Sequence, residues 1–231
     1  MQNSAVISEV KCGYCNKVFR KESSLLTHRC ETKRRHEEKS ERGVQIGFYA
    51  YTRFYQLMHI SGQQKSHNDF IDSPYYKAFV KFGRHAIGIR AINPEAMVDW
   101  LLKNNKKLDY WCKEQFYTDF LEEYLKVEPV ADALTRAIEY SITWAEEKNM
   151  PAHDVLRYGN ANALVFAVTT GRISPWVIYN SESGQKFLST LDVSHISMVW
   201  PYIDSDAWQK KFADHSADQE YAKKILKQAG W

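Results

Sequence analysis

The amino-acid sequence predicts a mainly α protein: a small, metal-tied module at the start, then a multi-helix domain. Three observations predict this. Only 10 Gly and 6 Pro occur in 231 residues, too few turn formers for an all-β sandwich or barrel. Apolar residues recur with a helical period in several segments. Prolines also tend to stand directly after Ser or Asn, where helices begin. Hydrophobic residues make up 44% of the chain, enough for a real core, which excludes wholesale disorder. No stretch approaches the ~20 apolar residues that a membrane span needs, so no membrane partner is expected. The first ten residues have neither a basic n-region nor an apolar h-region, which predicts no secretory leader and a cytoplasmic location.

The net charge of +3 conceals a split. Residues 1–107 carry 19 Lys and Arg against 10 Asp and Glu, a net +9. Residues 108–231 carry 12 against 18, a net −6. The two halves therefore suit different partners, the first one anionic.

The first element, at residues 1–31, carries the strongest chemical signal. Cys12 and Cys15 are spaced C-x2-C, which lets a tight knuckle aim two thiolates at one ion. His28 follows after 12 intervening residues, and Cys30 comes two positions later. Such clustering fits a metal in a reducing compartment better than disulfides, and four N/S ligands make a closed, structural site. Phe19 and Leu25 stand at the two apolar positions of the miniature core in a classical ββα zinc finger. The segment resembles that family, as a Cys-Cys-His-Cys variant, and the resemblance implies zinc. The departure is at the fourth ligand: residues two apart on a regular helix do not face the same way. Either the helix ends near Cys30, or another ligand such as His36 replaces it.

In classical fingers the residues that read bases sit just before the helix and at its third and sixth positions, here Lys21, Ser24 and Thr27. Ser and Thr discriminate bases poorly, and one finger spans about three base pairs. Phosphate contact is better supported. Residues 11–35 hold eight basic against two acidic side chains, and Lys17, Arg20, Lys21, Arg29, Lys33, Arg34 and Arg35 are the candidates.

Residues 32–43 are almost wholly polar and read as an exposed helical linker, with Gly43 as its stop. The remaining domain, 44–231, opens with an apolar stripe at Val44, Phe48, Tyr51, Tyr55 and Met58. A loop is expected at 61–64. Helices are then predicted near 67–72, 74–90, 94–104, 109–126, 129–148 and 151–158, and later near 206–213 and 217–229. Pro74, Pro94, Pro129 and Pro175 are each placed at a first helical position. In the 74–90 helix, Lys77, Lys81 and Arg84 share one face and extend the candidate phosphate track. The β-branched and aromatic runs at 164–170 and 176–179 leave two readings open. One is a short β-hairpin near 164–179. The other is two buried helices, favoured by the caps Asn160, Gly171 and Ser174.

Over nearly its full length, the finger, the run from Phe70 to Gly83 and the run from Ile173 to Val177 together resemble uncharacterised zinc-finger accessory proteins of large tailed phages. That resemblance implies a host-cytoplasmic, DNA-related setting and supplies no catalytic residues.

A search for catalysis finds only weak constellations. Asp132 with Glu146, Glu147 and Lys148 has the letters of a metal nuclease but lies on one amphipathic helix. Cys112, between Trp111 and Lys113, reads as a buried structural thiol. No glycine loop fits a phosphate. The sequence thus predicts a non-enzymatic protein that binds nucleic acid, taken as DNA, through its basic half. Its acidic half would engage an unidentified protein partner. The competing reading is an adaptor whose finger docks on a protein.

Overall fold

A computed structural model of the chain describes residues 9–58 and 64–231. The loop expected at 61–64 lies, except for Gln64, outside the described residues. Helices dominate, as predicted, and the described strands form one short antiparallel pair. The chain divides into two compact units, Met1–Cys112 and Lys113–Trp231. The division falls a few residues from the charge reversal in the sequence.

In the first unit, β1 (Val10–Lys11) pairs with β2 (Val18–Phe19), Val10 opposite Phe19. A short α1 (Glu22–Leu26) follows, then α2 (Glu31–Glu37) and a 3-10 turn at Glu38–Ser40. The main body is α3 (Arg42–Leu57), α4 (His67–Ile71), α5 (Tyr76–Gly88) and α6 (Pro94–Lys103). α4 starts with a full capping box between Ser66 and Asp69, which satisfies otherwise orphaned helix N–H groups. The α3 stripe is buried at Val44 and Tyr51, but Met58 at its end is exposed. Tyr51 packs against Phe70 and Phe79, with centroids 5.2 and 5.6 Å away. Trp111 is fully buried against Phe82, and its Nε1 donates to the Lys106 carbonyl at 2.8 Å.

Gly43 does not stop a helix. It lies in the first turn of α3, buried against α5. Gly43 and Gly47, one turn apart, face Gly83 of α5, and a Cβ on Gly83 would fall 2.0 Å from the Gly43 carbonyl oxygen. These glycines let two helix backbones touch, a use that sequence alone does not separate from a C-terminal stop.

The second unit contains α7 (Glu114–Tyr124), α8 (Val130–Lys148), α9 (Val155–Tyr158), α10 (Ala161–Thr169) and α11 (Pro175–Asn180). It ends with α12 (Glu182–Thr190), α13 (Val193–Ile203), α14 (Ser205–Asp214) and α15 (Ser216–Gln228). The hairpin near 164–179 does not form; both segments are helical. Asn160 accepts from the Ala163 N–H, Gly171 takes a φ of 75°, and Ser174 accepts from Trp176. Local caps decide the matter over β-branched composition. Asn149 closes α8 in the left-handed conformation.

Two of the four prolines hold the predicted place. Pro94 and Pro175 stand at first helical positions behind Asn93 and Ser174. Pro129 instead is the cap residue of α8, and Pro74 lies in a turn before α5. Here Ser73 accepts from the Tyr75 N–H, so the turn rather than the helix takes up the proline. The core of this unit centres on Trp176, Trp208 and Phe212, with ring centroids 5.1–5.8 Å apart.

Candidate metal centre

Cys12, Cys15, His28 and Cys30 converge. One ligand atom from each lies within 4.8 Å of all the others. Local geometry explains why. The Cys12 N–H donates to the Lys17 carbonyl and the Asn16 N–H to the Cys12 carbonyl, while Asn16 adopts a left-handed φ of 61°. This turn folds Cys15 back beside Cys12. The Cys15 Sγ lies 3.2 Å from His28 Nε2. α1 ends at Leu26, before the histidine, and Cys30 has an extended backbone. The helix therefore does end before Cys30, as the two-residue spacing requires. Cys30 also caps α2, its sulfur accepting from the Lys33 N–H at 3.4 Å.

Four ligands on a tetrahedral ion with Zn–S near 2.3 Å would stand about 3.8 Å apart, so the cluster is of the right size for a metal. No disulfide joins these thiols. Backbone N–H groups of Cys15 and Tyr14 hold the Cys12 thiol below its ordinary pKa. The Lys17 N–H favours the Cys15 thiolate, but burial and the thiols of Cys12 and Cys30 outweigh it and push that pKa up. Phe19 and Leu25 are half-buried, and Phe19 packs on the His28 ring at 4.8 Å. His36 is outside the cluster and lies against Tyr14 instead, with centroids 5.1 Å apart.

The basic candidates separate into two groups. Lys17, Arg20, Lys21, Arg29 and Lys81 are exposed and make no ion pair among the described residues. The others face carboxylates. Lys33 is 3.9 Å from Glu37, and Arg34 is 3.5 Å from Glu31. Arg35 pairs with Glu31 at 3.0 Å, donates to the Ile71 carbonyl at 2.5 Å and lies 4.4 Å over the Tyr76 ring. Lys77 reaches Glu31 at 3.3 Å. Arg84 grips Glu41 at 2.6 and 2.8 Å and Glu38 at 3.2 Å. Glu31 and Glu41 are held below the usual carboxylate range by these partners, chiefly Arg35 and Arg84 respectively.

These carboxylates were missed as functional residues, although a signal exists. Glu31 and Glu38 are seven apart, as are Lys77 and Arg84, so one acidic and one basic edge match in register. Of the base-reading positions, Lys21 is exposed before α1, while the Thr27 hydroxyl donates to the Ser23 carbonyl at 3.1 Å. The letters of a nuclease, Asp132, Glu146, Glu147 and Lys148, are all exposed on α8. Burial raises the Cys112 thiol, which makes it a poor nucleophile. Among the described residues, no helix is long and apolar enough to cross a membrane.

Comparison with known proteins adds no relative: no family model, no curated protein and no solved structure matches the chain.

Proposed function

We propose that this chain is a zinc-finger nucleic-acid-binding accessory protein that acts without catalysis. It would hold phosphates, of DNA in the first instance, on its basic unit. The acidic unit would recruit or position a protein partner in replication, recombination or transcription. Three thiols and one imidazole in a closed tetrahedral set suit zinc over hard, oxygen-seeking cations and give a structural rather than a catalytic site. Free thiols in that set fit the cytoplasm, a host cytoplasm if the phage resemblance holds. The observation that carries the reading is the exposed set Lys17, Arg20, Lys21 and Arg29 around the metal cluster, unopposed by ion pairs among the described residues.

The adaptor reading has an observation of its own: Leu26, beside the cluster, is 75% exposed. One titration separates the two. Four phosphate contacts give a slope near −3.6 in log affinity against log salt, about a 100-fold loss between roughly 50 and 200 mM. Replacing Lys17, Arg20, Lys21 and Arg29 by Gln should flatten that slope, whereas Arg84→Gln should leave it unchanged. Absence of binding to duplex or single strands at low salt, with metal loaded, would leave the adaptor reading in its place.

A further inference from the structure

The first unit contains a cavity of about 640 Å³ bordered by the end of α3, the start of α5 and the segment after α6. That volume is in the range of ligand pockets, roughly 300–1,000 Å³. Its apolar lining is mostly aromatic. Phe54 and Phe79 meet edge to face at 5.9 Å, and Tyr55 packs on Phe54 at 5.5 Å. Tyr75, at the cap of α5, is 55% exposed although it lines the cavity. Positive charge surrounds this aromatic surface. Lys106 and Lys107 border the cavity, and Lys65 lies 5.0 Å over the Tyr55 ring. Asn105 and Asp109 also line the cavity.

We propose that this cavity takes one unstacked base of a single-stranded nucleic acid. Its ring would lie against Tyr75 and Tyr55, and the flanking phosphates would lie beside Lys106, Lys107 and Lys65. The inference rests on the nucleic-acid reading and extends it from duplex phosphates to single strands. Aromatic walls favour a planar ring over an acyl chain, because an acyl chain gains equally from aliphatic walls, whereas a base gains from π-faces. The lysines select an anionic ligand. A carboxylate and an amide at the edge suit a base with an exocyclic amino group.

The test uses the full, metal-loaded chain and two fluorescent probes, a short oligodeoxyadenylate and a random-sequence duplex. Loss of one base-stacking ring lowers affinity by about 5- to 100-fold. Tyr75→Ala should do this to the single strand alone, with duplex affinity and thermal midpoint unchanged. Tyr75→Phe should retain single-strand affinity, and Lys107→Gln should reduce it and its salt dependence. If single-strand affinity survives both Tyr75→Ala and Lys107→Gln, the pocket is wrongly assigned while the finger-based reading stands. If neither probe binds at low salt, both readings are overturned together. Binding of oleate to the cavity, with no effect of Tyr75 on the oligonucleotide, would assign it to an acyl chain and refute the proposal.

Discussion

Substituting Gly83 by Ala should separate α3 from α5, and the structure sets the scale. The new methyl would lie 2.0 Å from the Gly43 oxygen and 2.8 Å from the Gly47 nitrogen. Both are backbone atoms, so no flexible side chain can swing aside, and relief requires about 1.4 Å or more of separation to restore ordinary contact. Overpacking of this kind costs about 1–3 kcal/mol. Ala is favoured over Gly inside a helix by up to ~1 kcal/mol, which offsets part of the cost. The net expectation is roughly 1–2 kcal/mol of destabilisation, about a 5- to 30-fold increase in the opening equilibrium. Gly88 provides the control on the same helix: a Cβ there meets nothing within 4 Å. Gly88→Ala should therefore leave stability unchanged or raise it slightly. Hydrogen exchange of the full chain, read in peptides covering α3 and α5, measures both. The local effect should spread to the turn after α2, because Arg84 next to Gly83 holds Glu38 and Glu41. Wild-type exchange rates in Gly83→Ala, or equal effects of the two substitutions, would refute the close-contact argument.

Two further outcomes are expected. Elemental analysis of protein purified without added metal should give about one zinc per chain, lost in Cys15→Ser, because this segment has too little core to fold without metal; a value near zero would refute the metal site. In the second unit, Glu128 is buried, its carboxylate 2.8 Å from Arg136 and within 3.3 Å of the Ser174 hydroxyl, and burial pushes its pKa up. Arg136→Met should cost about 3–5 kcal/mol in urea unfolding by leaving that carboxylate unpaired, and adding Glu128→Gln should recover much of it; a loss below about 1 kcal/mol would show that the pair is not structural.

The features legible in the sequence were those decided within a few residues. The ligand spacing and the Asn160 and Ser174 caps each needed only local chemistry, and each appears where it was expected. Failures came where a distant segment decides the outcome. Gly43 could not announce that its neighbour would be Gly83, forty residues on. Pro74 and Pro129 are local exceptions: both matched the first-position pattern, but Pro74 lies in a turn that Ser73 completes and Pro129 stands one position earlier, at the cap of α8. The cavity was invisible because, like the Gly43–Gly83 contact, it joins distant segments. Phe54 and Tyr55 belong to α3 and Tyr75 to the cap of α5, and only packing brings them beside Lys106 and Lys107.

Charge shows the same limit and points to a division of labour. Counted along the chain, Lys77, Lys81 and Arg84 are three equivalent cations on one helical face. In the fold, Lys77 and Arg84 meet carboxylates, and Lys81 remains exposed. A cation already held by one or two acids has less to gain from a phosphate, since binding would have to displace the partner it has. The segment Glu31–Glu41 thus supplies carboxylates to part of the apparent phosphate track and links α2, which Cys30 caps, to α5. Among the described residues, Lys17, Arg20, Lys21, Arg29 and Lys81 are the candidates that no carboxylate holds. The finger and the cavity belong to one compact unit, so the salt titration and the Tyr75 substitution are to be carried out on the same protein.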